Sequence, residues 1–349
     1  MKTMVLTGGG TAGHIYPLLA VKETVEGQYN FVYIGGNGME KDIISKEKDI
    51  EFYQIPTVKL ARSLTPKNLL IPFKLFVAIK KAKQLLRQIN PSVIFSKGGF
   101  VAMPVVLAAK SLGLPVVSHE SDLSFGLANK IILKNCSVMC TAFKQTAEGK
   151  NKCVFTGQPI RKKVLSGDKN KIKNLTQFDK NLPNLLVVGG SLGANFINQK
   201  VWSNLDKLTQ KFNVVHIAGK QAKDNKHTCK NYLQVDYAEN IGDYLAFADI
   251  VLSRAGSGAI NEFLALRKPM LLIPLSKKCS RGDQIENAKL FKKQGLCDML
   301  QEEDYDDKLL LIKLENLFEN RENYKKNMQK VQPFDACEKI IEQIKKVEK

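Results

Sequence analysis

Twice along this chain a short apolar run ends in a glycine turn and passes into a helical stretch, a pattern that few architectures accommodate. Met4-Val-Leu-Thr-Gly-Gly-Gly-Thr-Ala-Gly13 is echoed by Leu185-Leu-Val-Val-Gly-Gly-Ser-Leu-Gly-Ala194. Later in each half a second pair follows, Val93-Ile-Phe-Ser-Lys-Gly-Gly99 against Ile250-Val-Leu-Ser-Arg-Ala-Gly256. A strand that feeds a glycine turn and then a helix is the βαβ unit of a parallel sheet covered by helices. Apolar runs at 3–7, 30–34, 92–96, 115–118, 137–141, 153–156, 184–188, 213–217, 249–252 and 270–274 read as its strands. The expectation is an α/β chain of two similar Rossmann-like halves, with ligands at the carboxyl ends of the strands.

Length agrees with two halves, because 349 residues exceed the ~250–300 at which single cores stop growing. The division falls near Thr156-Gly-Gln-Pro-Ile-Arg161, giving domains 1–159 and 160–349 with the active site expected between them. Residues 335–349 read as a final amphipathic helix whose docking partner the sequence leaves open, packing back on the N-terminal domain being one option. Seven scattered cysteines form no CxxC pair and read as reduced thiols. No run of 18 apolar residues and no signal-peptide pattern is present, which predicts a chain that stays in the cytosol.

The glycine turns set the chemistry. Gly8-x-Gly10-x-x-Gly13 fits the dinucleotide fingerprint, in which glycines let backbone approach a phosphate at a helix N-terminus. A nicotinamide site also wants an acid at the end of the second strand, whereas Phe31-Val-Tyr-Ile34 ends in Gly35-Gly36. No glycine turn leads into Lys-Ser or Lys-Thr, so a P-loop is excluded. His14, at the start of the first helix, is placed to accept a proton near neutral pH. In the second half, Gly189-Gly-Ser191-Leu-Gly193 offers N–H groups and a hydroxyl to a pyrophosphate, and Arg254 offers a cation. The helix that follows opens near Ser257 and carries Glu262, a carboxylate able to bridge two ribose hydroxyls. Arg281-Gly-Asp-Gln284-Ile-Glu-Asn287 supplies amides and carboxylates of the kind that bind sugar hydroxyls.

Taken together these segments resemble the peptidoglycan glycosyltransferases of GT-B architecture, which add N-acetylglucosamine to an undecaprenyl-linked muramyl precursor. The resemblance rests on Gly8 to Pro17, Lys97 to Pro104, His119-Glu-Ser-Asp122, Gly126-Leu-Ala-Asn129, Gly189 to Ala194, Arg254 to Glu262, and Asp283-Gln284 with Asn287-Ala288. It implies two Rossmann-like domains with parallel sheets facing across a cleft, the C-terminal one binding UDP-N-acetylglucosamine and the N-terminal one the lipid acceptor. By position it assigns Ser191 and Arg161 to the diphosphate, Glu262 to the ribose, Gln284 to the sugar, and Ala238 with Ile241 to the uracil. Thr11, Gly13, Asn129, Gly193, Arg254, Ser257 and Gly258 join the donor set. Gly10, Gly98, Gly99 and His119 fall on the acceptor side, and His14, Asp122 and Glu120 are the candidate proton acceptors. The chain departs from the family pattern at Ala12, Phe100, Ser121-Asp122 and Leu192. A tyrosine hydroxyl at position 100 is thereby absent, and Asp122 is an added base candidate.

The formal charge of +19 draws the chain toward phosphates or an anionic surface. Residues 64–87 set Leu69, Leu70, Ile71, Phe73, Leu75 and Phe76 beside Lys67, Lys74, Lys80, Lys81, Lys83 and Arg87, a basic amphipathic stretch suited to a membrane interface. With the lipid-linked acceptor that the resemblance implies, the reading is a peripheral protein on the cytoplasmic face of a bacterial cell membrane. The resemblance further implies inverting transfer to the acceptor's C4 hydroxyl (lipid I to lipid II), with no metal or cofactor. Asp304-Tyr-Asp306, the only DxD-like string, reads as surface. Two alternatives stay open: another GT-B transferase with a lipid acceptor, such as diacylglycerol, and a non-catalytic basic binding protein. Nucleic acid is not an expected partner, because no RNA-binding aromatic motif is present.

Overall fold

A computed structural model describes residues 1–57, 71–190, 193–219, 222, 227–331 and 335–349. The chain divides into two compact units, Met1–Arg161 with Phe334–Lys349, and Lys162–Pro333. The first is built on strands β1 (Lys2–Thr7), β2 (Tyr29–Gly35), β3 (Ile50–Gln54), β4 (Val93–Ser96), β5 (Val116–Glu120), β6 (Val138–Thr141) and β7 (Cys153–Phe155). They form a parallel sheet in the order β3-β2-β1-β4-β5-β6-β7. The second holds β8 (Asn184–Val188), β9 (Asn213–Ile217), β10 (Tyr232–Val235), β11 (Ile250–Ser253), β12 (Met270–Leu272) and β13 (Asp298–Met299), parallel in the order β10-β9-β8-β11-β12-β13.

Central strands of such sheets are covered on both faces, and so their residues are apolar without alternation. On β1, Met4 and Leu6 enter one buried cluster with Leu18, Leu19 and Val21 of the helix Tyr16–Thr24, while Val5 enters another with Ala102, Val105 and Ala109 of the helix Gly99–Ser111. The first cluster is completed by Ile340, Ile341 and Ile344 of the final helix, Ala336–Val347. A segment from the far end of the chain therefore fills the core of the first unit.

Every strand absent from the sequence reading lies at a sheet edge. Strand β3 (Ile-Glu-Phe-Tyr-Gln) is buried only at Ile50, β10 only at Tyr232, and β13 has two residues. An edge strand has one neighbour and a wet side, so it carries no continuous apolar run to detect.

The two repeated sequence pairs are strand neighbours. Met4 to Thr7 pair with Val93 to Ser96, and Leu185 to Val188 pair with Ile250 to Ser253. In both sheets this is where the strand order reverses, the topological switch point at which open α/β sheets bind ligands. Gly8–Gly10 and Lys97–Gly99 leave the carboxyl ends of one such pair, Gly189–Gly190 and Arg254–Gly258 those of the other.

Candidate functional site

At the switch point of the first unit, His14 closes a short 3-10 turn, Ala12–His14, ahead of the helix Tyr16–Thr24. Its Nδ1 lies 3.0 Å from Thr11 Oγ1. Gly99 packs beside the ring, where a Cβ would sit 3.7 Å from Cε1 and Nε2. The residue is half-buried, and desolvation by its neighbours, helped by the Lys97 ammonium, brings its pKa down to about 4. At neutral pH the ring is therefore uncharged. Its Nε2 makes no hydrogen bond among the described residues, and in the tautomer that donates Nδ1–H to Thr11 the lone pair on Nε2 is available to take a proton.

Beside it stands a buried polar network. His119 Nε2 is 2.8 Å from the Gly157 carbonyl oxygen, which can only accept, so Nε2 carries the hydrogen. Nδ1 is then the acceptor for Lys97 Nζ at 2.9 Å. Lys97 also donates to Ser121 Oγ, and Ser121 to Gln158 Oε1 at 2.9 Å. Burial pulls the Lys97 ammonium down to about 8 against the opposing pull of Glu120 and Asp122. Burial and Lys97 together hold His119 well below the usual imidazole range. Glu120 accepts from the Asp122 amide (3.0 Å) and Asn129 Nδ2 (2.8 Å), and Asn129 Oδ1 accepts from the Gly99 amide at 3.1 Å. A Cβ on Gly98 would lie 2.1 Å from Asn129 Oδ1. Gly98, Gly99, His119, Glu120, Asp122 and Asn129 thus share one site with His14. Within it, His119, Glu120 and Asn129 have their polar atoms turned onto the protein.

Thr11 and Gly13 belong to the same turn as His14 and are exposed. Arg161 is also part of this unit. Its guanidinium pairs with Glu23 (Nε to Oε1 2.6 Å), lies 3.8 Å from Glu47, and covers the Tyr16 ring. Its Nε and Nη2 are thus already turned to Glu23.

In the second unit Ser191, with Leu192, lies outside the described residues. Gly193 backs onto the carbonyl of Ala218, where a Cβ would be 2.2 Å from the oxygen. That carbonyl is held by Asn198 Nδ2 at 2.7 Å, and Asn198 Oδ1 lies 3.0 Å from His216 Nε2. Arg254 donates to the Ile273 carbonyl (3.1 Å) and pairs with Glu302 at 2.5 Å. Its charge ties the ends of β11 and β12 together, which the sequence reading did not expect. Ser257 and Gly258 begin the helix Ser257–Ala265. Gln284 Oε1 accepts from the Leu275 amide at 3.0 Å. Ala238 and Ile241 are half-buried in the turn between β10 and the helix Ile241–Phe247. Asp304 accepts from Gln301 and Asp306 caps the helix Asp307–Glu319, both structural roles at exposed positions.

Glu262 has no hydrogen bond or ion pair among the described residues, and burial alone raises its pKa to about 7. A carboxyl group with a raised pKa binds its proton more tightly folded than unfolded. Its stabilising contribution is complete in acid and is lost as pH rises toward 7. Glu262→Gln is therefore expected to raise the melting temperature at pH 8 and leave it unchanged at pH 4, as differential scanning fluorimetry can show. A ligand whose hydroxyls donate to the ionised group would offset this cost, so the same variant should weaken binding of such a ligand at pH 8.

Residues 4–140 match the N-terminal domain and residues 184–344 the C-terminal domain of glycosyltransferase family 28. The chain belongs to glycosyltransferase family 28. This family 28 enzyme is 45% identical, over all of both chains, to a Clostridium botulinum protein named UDP-N-acetylglucosamine--N-acetylmuramyl-(pentapeptide) pyrophosphoryl-undecaprenol N-acetylglucosamine transferase. A Clostridium tetani protein of that name is 43% identical over 99% of this chain and 98% of its own. Among solved structures, MurG of Acinetobacter baumannii superposes with a TM-score of 0.76 at 26% identity, covering 99% of this chain and 100% of that one. The calicheamicin glycosyltransferase CalG4 shares the fold at 14% identity and a TM-score of 0.68. Two parallel Rossmann-like units in a family 28 chain constitute the GT-B fold.

For this family 28 glycosyltransferase the most informative residue missing from the sequence reading is Lys97. It stood inside a quoted motif, but a lysine in a loop carries no sign of burial, and only the contacts with His119 and Ser121 reveal it.

Proposed function

We propose that the protein transfers N-acetylglucosamine from UDP-N-acetylglucosamine to the C4 hydroxyl of undecaprenyl-diphospho-N-acetylmuramyl-pentapeptide in peptidoglycan synthesis. What carries this reading is full-length identity of 45% to a relative named for that reaction, joined to a neutral histidine at one switch point and, beside the other, a glutamate with no partner among the described residues. The N-terminal unit is assigned the acceptor and the C-terminal unit the donor. Glu262 holds the ribose, Ala238 and Ile241 flank the uracil, Gln284 meets the sugar, and Ser191, Gly193, Ser257 and Gly258 take the diphosphate.

In this mechanism the acceptor oxygen attacks the anomeric carbon from the face opposite UDP. The new glycosidic bond forms as the bond to the diphosphate breaks, inverting the centre, and the hydroxyl proton passes to His14 Nε2. The electron pair leaves on UDP, where glycine-turn amides and the helix N-terminus at Ser257 stabilise its charge. His14 is favoured over Glu120 because both Glu120 oxygens already accept hydrogen bonds. The decisive assay incubates the protein with UDP-N-acetylglucosamine and a short-chain lipid-linked muramyl pentapeptide. UDP release that depends on this acceptor is expected; release only with diacylglycerol, or none, would refute the assignment.

Association with an anionic membrane surface is part of the proposal. Residues 64–70 of the basic stretch lie outside the described residues, but the helix Ile71–Ile89 exposes Phe73 (68%) and Phe76 (65%) beside Lys74, Lys80 and Lys81. On the buried side of that helix, made by Ala78, Ala82, Leu85 and Leu86, the last three join the core cluster that includes the helix Gly99–Ser111. Each base near an anionic leaflet contributes about 1 kcal/mol, and the aromatic rings add apolar burial. Changing both Phe73 and Phe76 to serine should cut sedimentation with phosphatidylglycerol vesicles about tenfold or more, since burying a Phe is worth roughly 1.5–3 kcal/mol. Turnover of a detergent-soluble acceptor should persist.

A further inference from the structure

Behind the first glycine turn lies a carboxylate that the reaction scheme leaves unused. Glu40 is 2% exposed, near the start of the helix Met39–Ile44. Its Oε2 accepts from the Gly10 amide at 3.1 Å and its Oε1 from the Gly36 amide at 3.0 Å. No lysine, arginine or histidine pairs with it among the described residues. A buried charge must be compensated, and here backbone N–H groups do so. The surrounding glycines are shaped to it: a Cβ would come within 2.7 Å of the carboxylate from Gly9, 2.8 Å from Gly36 and 3.0 Å from Gly38. Tyr33 adds a further tie by donating to the Gly8 carbonyl at 2.9 Å. The acid that a dinucleotide site would place at the end of β2 is thus supplied from the following helix, and it faces the turn.

The turn leads straight to the proton acceptor. Gly10 precedes Thr11, whose hydroxyl holds His14 Nδ1. We propose that Glu40 is a positioning residue, a built-in anion that occupies the inner side of the first glycine turn and fixes Gly10-Thr11 so that His14 presents Nε2 to the acceptor hydroxyl. The proposal rests on the reading of His14 as base. Glutamine at position 40 keeps the volume but has one acceptor oxygen, so it can satisfy one amide and must turn an NH2 toward the other. Alanine leaves a space that a small carboxylate can refill.

The test compares Glu40→Gln, Glu40→Ala and His14→Ala with the unaltered enzyme, reading kcat, UDP affinity by calorimetry, melting temperature and the His14 imidazole 15N shifts. Misplacing a reacting group by about 1 Å can cost ~100-fold, so Glu40→Gln is expected to lower kcat by about that factor. UDP affinity should stay unchanged, the melting temperature should fall only by the few degrees that one unsatisfied buried amide implies, and the His14 shifts should move. Formate should restore part of the turnover of Glu40→Ala. Unchanged kcat and His14 shifts in Glu40→Gln would overturn the proposal whatever His14→Ala does. A loss of UDP affinity in step with kcat would also overturn it, by making Glu40 a general scaffold. Normal turnover in His14→Ala overturns the base assignment instead. If Glu40→Ala does not fold, the isosteric Glu40→Gln carries the decision.

Discussion

Replacing His14 by alanine is expected to lower kcat by about 10²–10⁴, the usual worth of a general base, while calorimetric affinity for UDP stays unchanged. The separation follows from the fold. His14 hangs from the turn after β1 in the first unit, whereas Gly193, Ser257 and Glu262 leave β8 and β11 in the second. The pH profile should carry a second signature. Burial and Lys97 hold His14 at about 4, so the ring stays uncharged above that pH and its proton-accepting form is lost only in more acidic solution. An acid limb near neutrality must come from another group, and Glu262, raised to about 7, is the candidate on the donor side. Glu262→Gln should remove that limb from the donor KM and leave kcat on the plateau; a limb that persists in the variant would exclude Glu262 as its source. Removing the Lys97 charge by Lys97→Met should raise the His14 pKa, a shift readable in the imidazole proton resonances.

The central strands and their glycine turns were legible because their physical requirements are local. An apolar strand buried on both faces, a turn that excludes side chains and a helix start each leave a mark within about ten residues. The same logic marked the segments that the sheets bring together at the switch points, since Met4–Gly13 and Val93–Gly99 repeat as Leu185–Ala194 and Ile250–Gly256; that they are neighbours is a tertiary fact. Polar relationships were less accessible. That Arg161 pairs with Glu23, 138 positions away, or that Arg254 is occupied by Glu302 and a strand-end carbonyl, depends on tertiary placement. Lys97 and Glu40 were invisible for a related reason. A charged residue reads as solvated surface, and both are instead buried against partners supplied by other segments.

Two glycines on the donor side should respond to alanine in opposite ways. Gly193 has φ near +81, and an added Cβ would lie 2.2 Å from the Ala218 carbonyl oxygen, which Asn198 fixes in place. The left-handed backbone alone costs a non-glycine residue about 1–3 kcal/mol, and backbone cannot move aside as a flexible side chain can. Gly193→Ala is expected to lower the melting temperature by roughly 5–10 °C, scaling at about 2–4 °C per kcal/mol, and to abolish measurable UDP binding. Gly258 is the contrary case. It sits in the first turn of the helix Ser257–Ala265, without a positive φ, and a Cβ there would meet nothing within 4 Å. The fold gives no reason for glycine at this position, and alanine should stabilise the helix by about 0.5–1 kcal/mol. What remains is close approach of a ligand. Gly258→Ala should therefore melt slightly higher than the unaltered protein yet show a donor KM raised about tenfold or more, the ~1.4 kcal/mol of one poorly accommodated methyl group. A variant that is both more stable and fully active would remove Gly258 from the diphosphate site.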